Sequence, residues 1–215
     1  FLTGALRLHS DLEIYLAKGA VLQGTTNLHD YAPRIPSRFE GTEMRCYSSL
    51  LNAGDLNSKT GANCRNIILR GKGTICGGGQ ELARKIIEDE RARIKSFLDD
   101  NEELVKSCEN HDTIPGRVRP RLINLSNCEN VWISGLTLKN APSWNVHMIY
   151  CNDIQTDHCR FVSEGVWNGD GWDPDSSTHC TLFASEFSTG DDAVAIKSGK
   201  NPEGNEINRP CAHIK

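Results

Sequence analysis

One short phrase recurs along the chain and limits the folds that are open to it. Each copy is a Cys, two mostly polar residues and an apolar anchor that opens an alternating run. Four copies begin at Cys64, Cys128, Cys151 and Cys211, and a looser fifth surrounds Cys180. The anchors are then Ile67, Val131, Ile154, Leu182 and Ile214. From Val131 onward, successive anchors are 23, 28 and 32 residues apart.

These intervals predict the architecture. Short β-rich runs with Gly or Asn turns, repeating at this period, suit an all-β, right-handed parallel β-helix in which one coil is one repeat. A leucine-rich repeat would need Leu at fixed close spacing, and a propeller would repeat at about 40 residues or more. We therefore expect residues 1–215 to form a single solenoid domain. Because the sequence has no initial Met and stops within a predicted strand, we expect it to be cut at both ends, which leaves the compartment open.

The cysteines fit the same interpretation. Their number, nine, is odd, so they cannot all pair within the chain. The absence of a C-x-x-C pair disfavours a structural zinc site. Equivalent positions on successive coils lie about 4.8 Å apart, so we predict that Cys64, Cys128, Cys151 and Cys211 belong to an inward ladder of free thiols. Disulfides are the alternative.

One segment departs from the repeat. Between Gln80 and Lys106 the chain is highly charged, and its apolar residues recur at helical spacing. We expect a helical insertion around 80–107, as part of an inserted helical segment that spans 80–113. It could cover the side of the solenoid, or it could wall one end of a binding groove.

The charge and hydrophobic content of the chain disfavour two classes of partner, nucleic acids and membranes. The net charge is −4, from 24 basic and 28 acidic residues, which argues against a nucleic-acid binder. No run approaches the roughly 18–20 apolar residues that a membrane span requires. A polyanionic substrate held by a few local cations stays possible. The oligomeric state is open.

The acidic residues carry the chemistry. Asp170 lies in Asn-Gly-Asp-Gly, and the pair Asp191-Asp192 follows 21 residues later, which is close to one coil. On a β-helix this spacing puts Asp170 beside the pair, so three carboxylates would cluster on one face. Such a cluster could bind Ca²⁺. It could also perform acid/base catalysis, because crowding raises the pKa of one carboxyl group while another stays ionised.

The ordered motifs resemble glycoside hydrolase family 28, the polygalacturonases and related pectin hydrolases. Asn168-Gly-Asp170-Gly and Gly190-Asp191-Asp192 match the first two of four family motifs, at the family's spacing. Arg119-Pro-Arg121 and the segment 140–147 resemble the preceding coil of bacterial, often exo-acting members. The later Gly-His-Gly and Arg-x-Lys motifs do not follow the Asp-Asp pair. We therefore expect this chain to hold the acids but only part of the substrate clamp, and to be incompletely active on its own.

The resemblance implies inverting hydrolysis of galacturonate-containing pectin, with no cofactor and no metal; exo and endo action both stay open, and the resemblance to exo-acting members favours exo. Asp191 would be the general acid, and Asp170 with Asp192 would activate water. Lys197 is the candidate partner of a uronate carboxylate, and the remaining candidates for substrate contact are His147, Trp144 and Trp172. For each of these, packing or a solvated turn is the alternative.

Two other functions stay open at this point. One is a Ca²⁺-dependent, pectate lyase-like enzyme on the same solenoid, although the sequence shows no arginine placed as its base. The other is a non-catalytic β-helix that binds polysaccharide. Galacturonan and a rhamnose-containing backbone are both possible substrates.

Overall fold

Three parallel sheets form the walls of a right-handed β-helix in the computed structural model, which describes residues 1–215. Sheet I contains β1 (Leu2–Thr3), β4 (Val21–Gly24), β9 (Thr74–Cys76), β12 (Thr137–Lys139), β15 (Arg160–Val162) and β18 (Glu186–Ser188). Sheet II contains β2 (Leu6–Leu8), β7 (Leu51–Ala53), β10 (Ile123–Ser126), β13 (Val146–Ile149) and β16 (Trp172–Asp175). Sheet III contains β3 (Leu12–Leu16), β8 (Cys64–Gly71), β11 (Cys128–Ser134), β14 (Asn152–Asp157), β17 (Thr178–Phe183) and β19 (Ala212–Ile214). The predicted fold class is confirmed.

The recurring phrase has a conformational cause at its third residue. Asn66, Asn130, Asp153, His179 and His213 all have positive φ, between 54° and 58°. Asn, Asp and His tolerate this left-handed conformation better than most residues do. The phrase therefore marks the place where each coil bends into sheet III.

The positive-φ positions also correct the fifth copy. Ile154 pairs with Cys180, and Cys180 pairs with Ile214, whereas Leu182 pairs with Thr156. The anchor is thus Cys180 and not Leu182, because this copy begins at Ser177, two residues before His179. Ser177 occupies the position where the other copies have a cysteine. The predicted anchor of this copy, Leu182, is therefore two residues too late.

Free thiols line the interior as predicted, and all nine cysteines are unpaired. Cys64 is in register with Cys128. The pairing of Glu129 with Asn152 places Cys151 next in the row. Ser177 then interrupts the row before Cys211, since Thr178 pairs with Ala212.

Several segments lie outside the repeating coils. β5 (Ile35–Phe39) and β6 (Thr42–Cys46) form an antiparallel hairpin, preceded by a short 3₁₀ helix (Leu28–Tyr31). The helical insertion consists of α1 (Gly79–Arg93), α2 (Lys95–Asp100), α3 (Glu102–Lys106) and α4 (Thr113–Gly116), and α5 (Glu203–Ile207) follows later.

The helical insertion agrees with the predicted range. Leu82 and Ile86 of α1 pack on Tyr31, Tyr47 and Val118 in a small cluster apart from the main core. None of the helices has the length and apolarity that a bilayer crossing demands.

Candidate active site

The outer face of sheet II carries the polar residues of the site. Trp172 is in the main core, and side chains alternate along a strand, so Asp173 and Asp175 of β16 point away from the core. In register with them on the neighbouring strand β13 are His147 and Ile149. The next coil places Lys197 opposite Asp175.

Asp170, Asp191 and Asp192 are brought together at the start of this face. The N–H of Gly171 donates to the carbonyl of Asp192 (2.9 Å), and Trp172 is bridged to Val194. Asp170 and Asp192 therefore occupy equivalent positions on successive coils, with Asp191 adjacent. Asp170 is buried, whereas Asp191 and Asp192 are exposed.

The motif glycines allow this close approach. A Cβ at Gly169 would lie 2.9 Å from the carbonyl oxygen of Ser163, and one at Gly190 would lie 2.6 Å from the same atom. Real Cβ atoms do not come this close to a backbone oxygen. Glycine before each acidic residue thus lets both coils pack against one turn.

The electrostatic setting of Asp170 is shaped by burial and by Lys197. Burial raises the pKa of the Asp170 carboxyl, the ammonium of Lys197 at 3.3 Å lowers it, and Asp191 and Asp192 raise it again. The net effect is a raised pKa. A carboxylate of this kind is a stronger base, provided that it stays ionised.

Lys197 forms ion pairs with two carboxylates of the protein itself. Its Nζ lies 3.3 Å from Oδ2 of Asp170 and 3.1 Å from Oδ1 of Asp173, and it is 4.5 Å from the ring centre of Trp144. Its side chain is 18% exposed. The ammonium is thus already engaged by two aspartates, and its pairing with a uronate carboxylate stays a prediction.

Asp173 and Asp175, which follow Asp170 closely in the sequence, lie on a strand. Both are fully buried on β16. Burial raises the pKa of Asp173 well above its usual value, against the attraction of Lys197. Asp175 accepts one hydrogen bond from Arg38 (2.9 Å) and contacts Nε2 of His147 (3.2 Å). The alternation in Trp-Asp-Pro-Asp could have indicated this outward, paired arrangement.

The three other predicted substrate contacts are not placed in an open cleft. Trp172 is in the core, where its indole N–H donates to the hydroxyl of Thr156 (3.0 Å). Trp144 is nearly fully buried and stacks on Phe39, with ring centres 4.6 Å apart. Their faces are covered, so neither ring has room for a sugar.

His147 is fully buried beside Asp175. Burial lowers the pKa of its imidazole to about 4, against the hydrogen bond with Asp175, and the charges of Arg121 and Lys197 add to the effect of burial. It is neutral at neutral pH, and it has no exposed atom to offer a substrate hydroxyl.

Buried arginines support the site, and sequence reasoning assigned them no role. Arg119 donates to the side-chain oxygen of Asn168 (2.6 Å) and to the carbonyl of Trp167 (2.9 Å), so it fixes the turn that leads to Asp170. Burial, reinforced by the charge of Arg121, lowers the pKa of Arg119 to about 9. Arg121 donates to the carbonyl of Arg38 on the hairpin. No periodicity in the sequence marks these positions.

The arrangement is suited to proton transfer. It offers two exposed carboxylates beside a buried one that has a raised pKa, and a cation that balances the buried charge. No group of three or more His, Cys, Asp or Glu side chains is placed to hold a metal ion.

Comparison with known proteins gives a consistent family. The sequence model described as glycosyl hydrolases family 28 matches residues 13–208. The chain is 28% identical over 214 residues to an exo-poly-alpha-D-galacturonosidase of Dickeya chrysanthemi, covering 93% of this chain and 35% of that protein. It is 29% identical over 212 residues to an endo-polygalacturonase of Pectobacterium carotovorum, covering 93% of this chain and 45% of that protein.

A solved structure has the same fold. The Yersinia enterocolitica family 28 exopolygalacturonase superimposes with a TM-score of 0.81 at 22% identity, over 100% of this chain and 40% of that one. The chain thus spans between about a third and a half of the length of these proteins.

Proposed function

The chain belongs to glycosyl hydrolase family 28, and we propose that it hydrolyses α-glycosidic bonds in galacturonate-containing pectic polysaccharide with inversion. The observation that carries the proposal is the meeting of Asp170, Asp191 and Asp192 on successive coils. The names of its relatives, which act on polygalacturonate, support the substrate class.

In the proposed mechanism Asp191 is the general acid. It is exposed, so a glycosidic oxygen can reach its carboxyl group and take up its proton as the bond from the anomeric carbon to that oxygen breaks. Asp170 and Asp192 together hold a water on the opposite face of the sugar. They accept one of its protons while its oxygen bonds to the anomeric carbon, and this inverts the configuration.

Lys197 is proposed to keep the base functional. Burial favours the protonated form of Asp170, and a protonated carboxyl cannot accept a proton from water. The ammonium 3.3 Å away favours the ionised form. The pair therefore combines the high basicity of a buried carboxylate with the charge that catalysis requires.

Exo action is proposed from the position of the β5–β6 hairpin. Three of its residues hold it on the outer face of sheet II: Ser37 bonds to Asn124 on β10 (2.9 Å), Arg38 to Asp175 on β16 (2.9 Å), and Phe39 stacks on Trp144 just before β13. A polymer extending from Asp170 along this sheet would meet the hairpin. This blockage favours cleavage near a chain end.

The site assignment is tested with Asp191→Asn, which keeps the side-chain shape and removes the acid. We expect release of reducing sugar from polygalacturonate to fall by at least about a hundredfold, as for loss of a general acid. Asp153→Asn, at an exposed position of positive φ near the start of β14, is the matched control and should retain full activity. Normal turnover by Asp191→Asn, or unsaturated products from the parent protein, would contradict the proposed chemistry.

The exo proposal is tested by the size of early products. We expect mono- or disaccharide from the first measurable time point, with little loss of polymer viscosity. Early release of a broad range of oligomers would refute exo action and leave the hydrolytic assignment intact.

A further inference from the structure

The outer face of sheet III carries aromatic and basic residues at a distance from the catalytic face. A surface groove of about 770 Å³ lies there, and its lining includes Tyr15, Lys18, Arg70, Lys72, Trp132 and His158. We name these six residues the sheet III patch. Tyr15 is 58% exposed and Trp132 is 38% exposed, among the larger exposed apolar side chains of the protein.

The charge of the patch is opposite to that of the whole chain. No Asp or Glu is among the residues that line the groove, although the net charge of the chain is −4. Arg70 is paired with the partly exposed Glu13 at 2.6 Å, whereas Lys18 and Lys72 are exposed and make no salt bridge. Two uncompensated cations therefore face solvent beside the aromatic rings.

The aromatic rings are held in place by neighbouring groups. The indole N–H of Trp132 donates to Oδ2 of Asp157 (2.5 Å), a carboxylate that also contacts Ser134 and His158. The guanidinium of Arg70 lies 5.1 Å from the ring centre of Tyr15, on the adjacent strand. Rings that are fixed in this way lose little conformational freedom when a ligand packs on them.

The dimensions suit a chain and not a small molecule. The patch extends over the coils that contain β3, β8, β11 and β14, which at about 4.8 Å per coil gives a strip roughly 14 Å long. Its groove is open at the surface.

From these features we propose that the sheet III patch is a second, non-catalytic binding site for a polyuronate chain. Sugar rings would pack their C–H faces on Trp132 and Tyr15, while Lys18 and Lys72 would pair with the carboxylates that recur along the polymer. The identity of the polymer rests on the proposed function, whereas the preference for an anionic polysaccharide rests on the patch itself. Such a site would hold the protein on its substrate between cleavage events.

The test is native electrophoresis of the protein in gels that contain polygalacturonate, with Asp191→Asn as the parent so that the polymer stays intact. We expect Trp132→Ala and the double variant Lys18→Ser/Lys72→Ser each to weaken retardation, with an apparent Kd about tenfold higher. Retardation of the parent should decline in about 0.5 M salt because exposed ion pairs are screened. Fully methyl-esterified polymer, which is uncharged, should not retard it.

Matched controls separate the patch from general effects. Phe97 is 47% exposed on the helical insertion, away from the groove lining, so Phe97→Ala should bind like the parent. Lys95→Ser/Lys106→Ser makes the same change of charge on the helical insertion and should also have no effect. The double variant of Lys18 and Lys72 removes only exposed, unpaired side chains, so it keeps the test valid if Trp132→Ala destabilises the fold.

The outcomes are distinct from those of the hydrolytic proposal. Patch-dependent binding, together with no release of reducing sugar by the protein that retains Asp191, would support this inference and refute the proposed function. Hydrolysis together with patch variants that bind like the parent would overturn this inference alone. Equal, Trp132-dependent retardation by single-stranded DNA would also overturn it, since the patch would then bind polyanions in general.

Discussion

Replacing Lys197 by Met removes an ammonium that contacts two buried carboxylates. Asp173 is fully buried, and neither of its oxygens has a hydrogen-bond partner beyond the ion pair with Lys197 at 3.1 Å. Methionine keeps a side chain of similar length and leaves Asp173 without that charge. Lys197→Arg, which keeps the charge, is the matched control.

The expected loss follows from the geometry. Two unit charges 3.1 Å apart attract by about 5 kcal/mol at an effective dielectric constant of about 20. Part of this attraction offsets the cost of burying the ammonium, which the variant no longer bears. Breaking a buried ion pair by removing one partner costs about 3–5 kcal/mol, and we expect the free energy of unfolding to fall by that amount near neutral pH.

The loss should depend on pH, with a definite sign. Because burial raises the pKa of Asp173 in the folded state, its contribution to stability is fully present below the unfolded pKa of about 3.9. It is lost as the pH rises through the folded pKa. Without Lys197 the folded pKa rises further, so the deficit of Lys197→Met should be smallest in acid and should increase toward neutral pH.

Urea unfolding at a series of pH values measures this deficit. In the Lys197→Met background, Asp173→Asn removes the unpaired charge, so we expect the double variant to recover much of the lost stability near neutral pH. A loss below about 1 kcal/mol that does not change with pH would refute the reasoning, because it would mean that Lys197 does not compensate a buried charge.

Three further predictions concern the fold. Phe39→Ala should lower the free energy of unfolding by about 3–5 kcal/mol, because the ring is buried and stacks on Trp144; an unchanged urea midpoint would show that the hairpin is not anchored there. Thr156→Val should cost about 1–3 kcal/mol by leaving the buried indole N–H of Trp172 without its acceptor, whereas Thr156→Ser should be nearly neutral in the same assay. Thiol titration in denaturant without reductant should count nine reactive cysteines, and a count of seven or fewer would indicate disulfides.

Much of the fold could be predicted because each coil of a solenoid carries the same local sequence pattern. The phrase at Cys64, Cys128 and Cys151 combines a buried small residue, a position of positive φ and a β-branched anchor, and these recur in register. The fifth copy was aligned wrongly because a serine, Ser177, fits the interior as well as a cysteine does. In addition, the anchor of this copy is itself a cysteine, Cys180. Local composition cannot fix register when such exchanges occur.

The β5–β6 hairpin was missed although its turn is visible in the sequence. Glu40 and Gly41 form a two-residue loop with positive φ at both positions, 47° and 79°. Glu-Gly is a weaker signal for this turn than Asn-Gly or Asp-Gly. Its packing on sheet II also depends on contacts between residues more than eighty positions apart, such as Ser37 with Asn124.

For the site, spacing sufficed to bring the acids together but not to assign the residues around them. Asp170, Asp191 and Asp192 meet because one coil separates them, and that interval can be read directly. Whether Lys197 faces a substrate or Asp173 depends on side-chain orientation on the next coil. The same limit applies to Trp144, which is covered by a residue 105 positions earlier in the sequence, Phe39.

The stereochemistry of the first product tests the central claim most directly, because it depends on which group attacks the anomeric carbon. Proton NMR of fresh digests of an α-linked galacturonate oligomer resolves the anomers before they interconvert. If Asp170 and Asp192 direct a water to the face opposite the leaving group, the first product is the β-anomer. An α-anomer at the earliest time point would contradict the account, because it would require a carboxylate to act as a covalent nucleophile.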